Sequence, residues 1–148
     1  HRLIPGRPLM IGTVEVPCDA GLLGHSDGDV LCHAIADALL GAAALGDLGS
    51  RFPDSDPRWQ GIGGAAILDQ IVVLLGEGGF RIGNVDATVI AERPRLAAHR
   101  EAMASGIAEA LGVDPARVSV KIKSNEACDA VGRGEAIAAQ AVVLIEAV

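Results

Sequence analysis

Tyrosine is absent and the only aromatic rings are those of Phe52, Phe80 and Trp59, so a core must be filled with Ala, Val, Leu and Ile. Such side chains each bury little area, which makes further burial at a subunit interface favourable. Basic residues are also scarce. With 12 Lys and Arg against 19 Asp and Glu, the net charge is −7 and the pI about 4.9, which argues against nonspecific binding to a nucleic-acid backbone. A small phosphorylated ligand is not excluded, because backbone amides, a few basic side chains and a metal can hold one locally. No apolar run approaches the roughly 18 residues that span a bilayer, so a soluble protein is expected. Cys18, Cys32 and Cys128 are odd in number and form no CxxC pair, which suits free thiols in a reducing, cytoplasmic setting. No charged-then-apolar leader precedes the chain, and its start at His1 rather than Met leads us to expect a natural start further upstream.

Half of the 148 residues are apolar, the charged fraction is 21% and mean hydropathy is +0.38, so the chain is not intrinsically disordered. Its length suits one domain, residues 1–148. Leu9 to Val16 reads as an extended segment containing a glycine turn. Asp29 to Ala44 has helical spacing, with Ser26 and Asp27 as capping candidates, and Ala65 to Glu77 and Ala97 to Leu111 form two further helices. Asn84 to Ala91, Val118 to Lys123 and Ala136 to Ile145 read as strands. Between them, Gly46 to Gly64 is a long loop rich in Gly, Pro and Asp with room for one helical turn, and loops of that length tend to be functional. The expected class is α/β: a small mixed β-sheet with helices packed on one face and a second subunit covering the other.

The densest polar constellation is His25 to His33, HSDGDVLCH. A helix starting at Asp29 would place Asp29, His33 and Asp37 on one face, and a carboxylate-flanked histidine makes a good metal ligand; an exposed polar stripe has the same spacing. His25 and Ser26 lie just ahead of that helix, where an anionic phosphate would sit. Asp47, Asp54 and Asp56 could bind a metal or sugar hydroxyls, although Asp is also a turn former. After the Val118 strand, Lys123, Ser124 and Glu126 could face one ligand together with a hydrated Mg²⁺. Gly132 to Glu135 is too short for a nucleotide loop, and no Walker A, Rossmann or nucleophile-elbow motif occurs. The residues alone support an α/β binder of metal and phosphate. A metal-dependent phosphohydrolase and a trimeric nucleotide-sensing module both remain open at this point.

The order GLLGHSDGDVLCHAIADALLGAAALGDLG, FPDSDPRWQG, GNVDATVIAERPRL, VKIKSNE, GRGEAIAAQA closely resembles the 2-C-methyl-D-erythritol 2,4-cyclodiphosphate synthases of the non-mevalonate isoprenoid pathway. The resemblance runs from His1 to the last strand. It implies a homotrimer, its sheets facing the threefold axis, that converts 4-diphosphocytidyl-2-C-methyl-D-erythritol 2-phosphate into the cyclic diphosphate and CMP. By the family's pattern, His1 and His33 hold zinc with an Asp two residues ahead of His1, so the family's first strand is expected to precede this sequence. His1, His25 and Ser26 then face the substrate phosphate. Asp47, Gly49, Phe52, Asp54 and Asp56 take the methylerythritol part. Ala91, Pro94, Arg95 and Leu96 form the cytidine pocket beside Lys123 and Ser124, Glu126 meets Mg²⁺ or Mn²⁺, and Arg133 and Glu135 match as well. His25 and Ser124 are the implied catalytic residues. In the family the phosphate half and the cytidine half meet across a subunit boundary. One departure stands out: the usual Glu-Lys-Leu-Gly-Phe or Tyr is here Glu126-Ala-Cys-Asp-Ala130, which loses the aromatic.

Overall fold

A computed structural model describes all residues, 1–148. Four short strands come first: β1 (Leu3–Pro5), β2 (Leu9–Ile11), β3 (Val14–Val16) and β4 (Ala20–Leu22). The Leu9 to Val16 segment is a hairpin in which β2 pairs antiparallel with β3, and Gly12 and Thr13 at the turn have φ +58 and +69°. Positive φ at both central residues is what a two-residue turn needs to match strand twist. Strand β1 pairs antiparallel with β4 as a second two-stranded sheet, which the sequence pattern did not reveal.

The helices expected from periodicity are present: α1 (Val30–Ala42), α3 (Gly64–Glu77) and α4 (Arg100–Leu111), the last preceded by a 3₁₀ turn at Ala97–His99. Helix α1 begins one residue later than expected. Asp29 itself is the N-cap, accepting from the Cys32 amide, so neither Ser26 nor Asp27 caps α1. The long loop contains α2 (Leu48–Arg51) and a 3₁₀ turn at Pro57–Trp59.

The main sheet has the order β6-β5-β7, with β5 (Phe80–Ile90) parallel to β6 (Val118–Lys123) and antiparallel to β7 (Ala138–Ala147). It is therefore mixed, as expected. Register places Val85 beside Val118 and Val143, and Ala87 beside Val120 and Ala141, on the face covered by helices. There α1 lies against β5 and β7, α3 against β5 and α4 against β6. One apolar cluster results, built on Leu and Ile, with Phe52 as its one buried aromatic side chain. Strand alternation sends Asp86, Thr88, Lys121 and Gln140 to the other face, which no helix covers, alongside exposed Val142 and Leu144. A short helix α5 (Asp129–Gly132) precedes β7.

Candidate active site

Two aspartates build the frame. Asp29 is fully buried, and its carboxylate accepts from the amides of Gly12 (2.8 Å), Thr13 (2.7 Å) and Cys32 (3.0 Å). It therefore ties the start of α1 to the β2–β3 turn, and three amide donors offset the cost of burying its charge. Asp27 accepts from the amides of Asp29 and Gly64, joining the same point to α3. Between them Gly28 has φ +79°, and a Cβ there would lie 2.6 Å from the Leu22 carbonyl oxygen. Glycine meets both constraints.

On that frame His33 projects from the first turn of α1. Asp29 and Asp37 do not hydrogen-bond its ring, so the expected carboxylate support is not made: Asp29 turns into the β2–β3 turn and Asp37 accepts from the Leu48 amide at 2.7 Å. The ring partners are instead Ser26, whose Oγ is 3.0 Å from His33 Nε2, and His1, whose Nε2 is 3.2 Å from His33 Nδ1. His1 Nδ1 lies 2.7 Å from the Leu23 carbonyl oxygen, which can only accept. Nδ1 of His1 is therefore the donor in this contact, and in the neutral ring that tautomer turns the Nε2 lone pair toward His33. Burial lowers the His33 pKa, against the opposing pull of Asp29, Asp27 and Asp37, so the ring tends toward its neutral, ligand-competent form.

This donor pair fits a divalent transition metal. Two nitrogens at about 2.0–2.1 Å from a tetrahedral zinc lie about 3.3 Å apart, close to the observed separation. Were Nδ1 of His33 to face a cation, Nε2 could carry the ring proton and donate to Ser26 Oγ, which also accepts from the Gly28 amide at 3.1 Å. The outer hydrogen bonds are thus satisfied with or without the ion. No group of three His, Cys, Asp or Glu side chains converges here, so the chain brings together two histidine donors and no third.

The histidines open onto a cavity of about 400 Å³. Of the expected site residues, His1, His25, Ser26, His33, Gly49, Phe52 and Asp54 line it. Leu48, Trp59, Ile62 and Ile67 add an apolar wall, and Asp37 a carboxylate. Trp59 packs edge-on against Phe52, with ring centroids 4.9 Å apart. Two expected ligands lie outside the cavity lining. Asp47 is the N-cap of α2, accepting from the Ser50 amide at 2.7 Å, and that bond holds its pKa below the ordinary aspartate value. Asp56 caps the Pro57–Trp59 turn and pairs with Arg58, which likewise lowers its pKa. Sequence reasoning did not place Trp59, Ile62 or Ile67 at the site, although a lone tryptophan in a long Gly- and Asp-rich loop was a usable signal.

The second expected group collects at the carboxyl ends of parallel strands β5 and β6, where open α/β sheets bind ligands. The Ala91 amide donates to the Lys123 carbonyl at 2.9 Å, joining the two strand ends. Ala91 and Leu96 are buried, whereas Arg95, Lys123, Ser124 and Glu126 are exposed and Pro94, after a cis peptide bond, is half-buried. Ser124 donates its hydroxyl to Glu126 at 2.7 Å. Glu126, Ala127 and Asp129 all have positive φ, at 48, 60 and 54°. Asp129 stands where the resembling family has Gly, and its carboxylate accepts from the Val131 amide at 2.8 Å. Arg133 pairs with Glu135 at 2.8 Å. None of these residues lines the histidine cavity, so one chain presents the two halves as separate surfaces.

A sequence model of the YgbB family matches residues 1–146. The 2-C-methyl-D-erythritol 2,4-cyclodiphosphate synthase of Dechloromonas aromatica is 54% identical over 100% of this chain and 92% of its own length. That of Desulfosudis oleivorans is 54% identical over 98% of this chain and 86% of its own. Among solved structures, a CDP-bound 2C-methyl-D-erythritol-2,4-cyclodiphosphate synthase superposes with a TM-score of 0.90 at 35% identity, covering 99% of this chain and 95% of the other. The bifunctional IspDF of Campylobacter jejuni gives a TM-score of 0.95 at 37% identity, covering 100% of this chain and 40% of that longer one.

Proposed function

The chain belongs to the YgbB family, and from that membership we infer that it catalyses the cyclisation for which its relatives are named. It is an enzyme of isoprenoid precursor synthesis, a phosphorus–oxygen lyase acting on 4-diphosphocytidyl-2-C-methyl-D-erythritol 2-phosphate. The products are 2-C-methyl-D-erythritol 2,4-cyclodiphosphate and CMP. The observation that carries this reading is near-complete coverage at more than half identity, together with the paired histidines on the cavity rim.

In the reaction an oxygen of the 2-phosphate attacks the β-phosphorus in line. The new P–O bond closes the ring, the bond to the α-phosphate breaks, and the bridging oxygen leaves with its electron pair on CMP. Nothing on the protein needs to be covalently modified. The problem is to hold two anionic phosphates together while charge moves between their oxygens. We assign His25 and Ser26 to the phosphates, with Ser124 donating at the diphosphate. Gly49 and Asp54 face the methylerythritol hydroxyls, and Phe52 and Trp59 form a wall that keeps water from the β-phosphorus. His1 and His33 would hold zinc, and Glu126 would hold Mg²⁺ or Mn²⁺ beside the diphosphate. Bound divalent cations supply neutralisation of the phosphate oxygens in the transition state. Ala91, Pro94, Arg95, Leu96 and Lys123 would receive the cytidine, and Arg133 stands by the same strand ends.

Separation of the two halves on one chain supports a homotrimer in which each active site joins the histidine cavity of one subunit to the β5 and β6 ends of its neighbour. The uncovered sheet face then turns to the threefold axis. No helix is long and apolar enough to cross a membrane, which accords with the cytoplasmic setting proposed for this biosynthetic step.

Phosphorus NMR of the reaction tests the activity. Equal amounts of CMP and a cyclic diphosphate are expected. Release of inorganic phosphate would move the protein to the phosphohydrolases, and binding without turnover would make it a nucleotide sensor.

A further inference from the structure

The cavity rim at residues 23–26 has no regular secondary structure, yet each of its four consecutive carbonyls has a donor. The Leu23 oxygen takes His1 Nδ1 (2.7 Å), Gly24 takes Arg7 Nη1 (3.0 Å), His25 takes the Gly61 amide (3.1 Å) and Ser26 takes Arg7 Nη2 (3.0 Å). The amides of Gly24, His25 and Ser26, by contrast, donate to no group of the chain. In a planar trans peptide the C=O and the next residue's N–H point in opposite directions. Fixing the carbonyls of Leu23, Gly24 and His25 therefore aims the amides of Gly24, His25 and Ser26 to the side away from those donors. Three successive amides without a partner in the chain are thus left free to donate to an anion.

Arg7 has a distinct place in this arrangement. Its planar fork gives each carbonyl its own nitrogen, Nη1 to residue 24 and Nη2 to residue 26, and so straddles His25 in a fixed geometry that the single nitrogen of a lysine does not reproduce. The Nη1 bond orients the His25 amide. The Nη2 bond orients the Asp27 amide, which donates to Ile62 (3.1 Å) and closes the segment against the loop that carries Trp59. A close backbone approach brings Arg7 there. Gly21 of β4 lies over the Arg7–Pro8 segment so tightly that a Cβ on it would meet the Arg7 carbonyl oxygen at 2.7 Å and that of Pro8 more closely still. Arg7 is half-buried and lies outside the cavity lining, so it stands behind the segment rather than facing the cavity.

We propose that Arg7 is a positioning residue that holds the His25 amide preorganised for phosphate oxygens, beside the Ser26 amide that the Gly61 contact aims. The inference rests on the cyclase reading for the identity of the phosphates. Its expected signature is a loss in turnover rather than in fold, since donors aimed in advance act most strongly on charge that develops in the transition state.

The test uses Arg7→Met, which keeps the aliphatic stem, and Arg7→Lys. In the wild-type chain, inorganic pyrophosphate should shift the ¹⁵N–¹H signals of His25 and Ser26, and in Arg7→Met the His25 shift should vanish. For the cyclisation, kcat should fall on the order of tenfold or more while KM rises less, as misplaced groups cost rate. Millimolar guanidinium ion should restore part of the Arg7→Met rate, whereas Arg7→Lys should stay impaired. Unchanged amide shifts with unchanged kcat in Arg7→Met would overturn the proposal. So would a loss that tracks the unfolded fraction and resists guanidinium. If Arg7→Met does not fold, Arg7→Gln, which can serve one carbonyl, is read by the same signals and the same criteria. Should wild-type amides respond to pyrophosphate while no CMP is released, the cyclase reading fails and the role of Arg7 stands.

Discussion

His1 Nε2 and His33 Nδ1 face each other at 3.2 Å although 32 positions separate them in the chain. Strand β1 sets this approach by pairing with β4, which leads into the segment preceding α1, and His1 is fixed by two backbone bonds to Ile137. The pair is therefore held by the fold rather than by local spacing, and its ring orientations are fixed by Leu23 and Ser26.

Replacing one ring should remove the metal and little else. His33 is only half-buried and belongs to no part of the apolar cluster, so His33→Ala should keep the circular-dichroism spectrum and cooperative melting of the parent. In a chain carrying the family's Asp two residues ahead of His1, zinc should raise the melting temperature of the parent and leave that of His33→Ala unmoved. Full zinc content in the variant by metal analysis would refute the assignment.

Glu126 should report on the second cation alone. It is exposed and held only by Ser124, so Glu126→Gln should keep zinc but need a higher Mg²⁺ or Mn²⁺ concentration for half-maximal rate. An unchanged divalent-ion titration would remove Glu126 from the metal site.

The cap on α2 should weaken in acid. Hydrogen bonds from Ser50 lower the Asp47 pKa, so its carboxylate contributes to local stability above the ordinary aspartate value. That contribution is lost as pH falls through the lowered folded value, because protonation then removes the acceptor the helix end uses. Amide protection at Ser50 and Phe52, taken relative to the intrinsic exchange rate at each pH, should fall across this window in the parent and be nearly flat in Asp47→Asn. A pH-independent parent would show that Asp47 caps nothing in solution.

Thiol chemistry should sort the three cysteines by place. Cys32 is fully buried in the crossing of α1 with α3, and burial, reinforced by Asp29, pushes its thiol pKa well up. Cys128 is exposed and Cys18 half-buried. A maleimide should label Cys128 first, Cys18 more slowly and Cys32 only in denaturant. Rapid native labelling of Cys32 would mean that the α1–α3 contact opens readily.

Residue pattern reveals some parts of this molecule and hides others for physical reasons. Helices α1, α3 and α4 and strands β5 to β7 are long enough to show several periods of burial and each was visible, although β5 starts at Phe80, four residues ahead of the expected Asn84, because an irregularity between Ile82 and Asn84 interrupts its alternation. Strands β1 and β4, of three residues each, show barely one. Spacing also placed Asp29, His33 and Asp37 in one stripe, but a residue at the N-cap lies outside the helical repeat, and Asp29 turns inward to three amides. The acidic loop gave no hint of which carboxylate stays free. Asp47 and Asp56 serve as caps and Asp54 lines the cavity, a distinction made by backbone amides two or three residues on rather than by composition.

The separation of the two site halves yields a prediction about assembly. His1, His25 and His33 lie at one cavity, while Ala91, Arg95 and Ser124 lie at the β5 and β6 ends, outside it. In a closed threefold ring each boundary joins the histidine half of one subunit to the cytidine half of the next. His33→Ala cripples the first half and Ser124→Asp the second, so each variant alone should be inactive. Every mixed trimer has one boundary at which two intact halves meet. Random reassembly from equal amounts gives mixed trimers three times in four, each with one active site of three, so roughly a quarter of wild-type activity should return. If one chain supplied both halves of its own site, no mixture could recover any activity. Continued inactivity after subunit exchange has been verified by mass spectrometry would rule out the shared site while leaving the histidine pair in place.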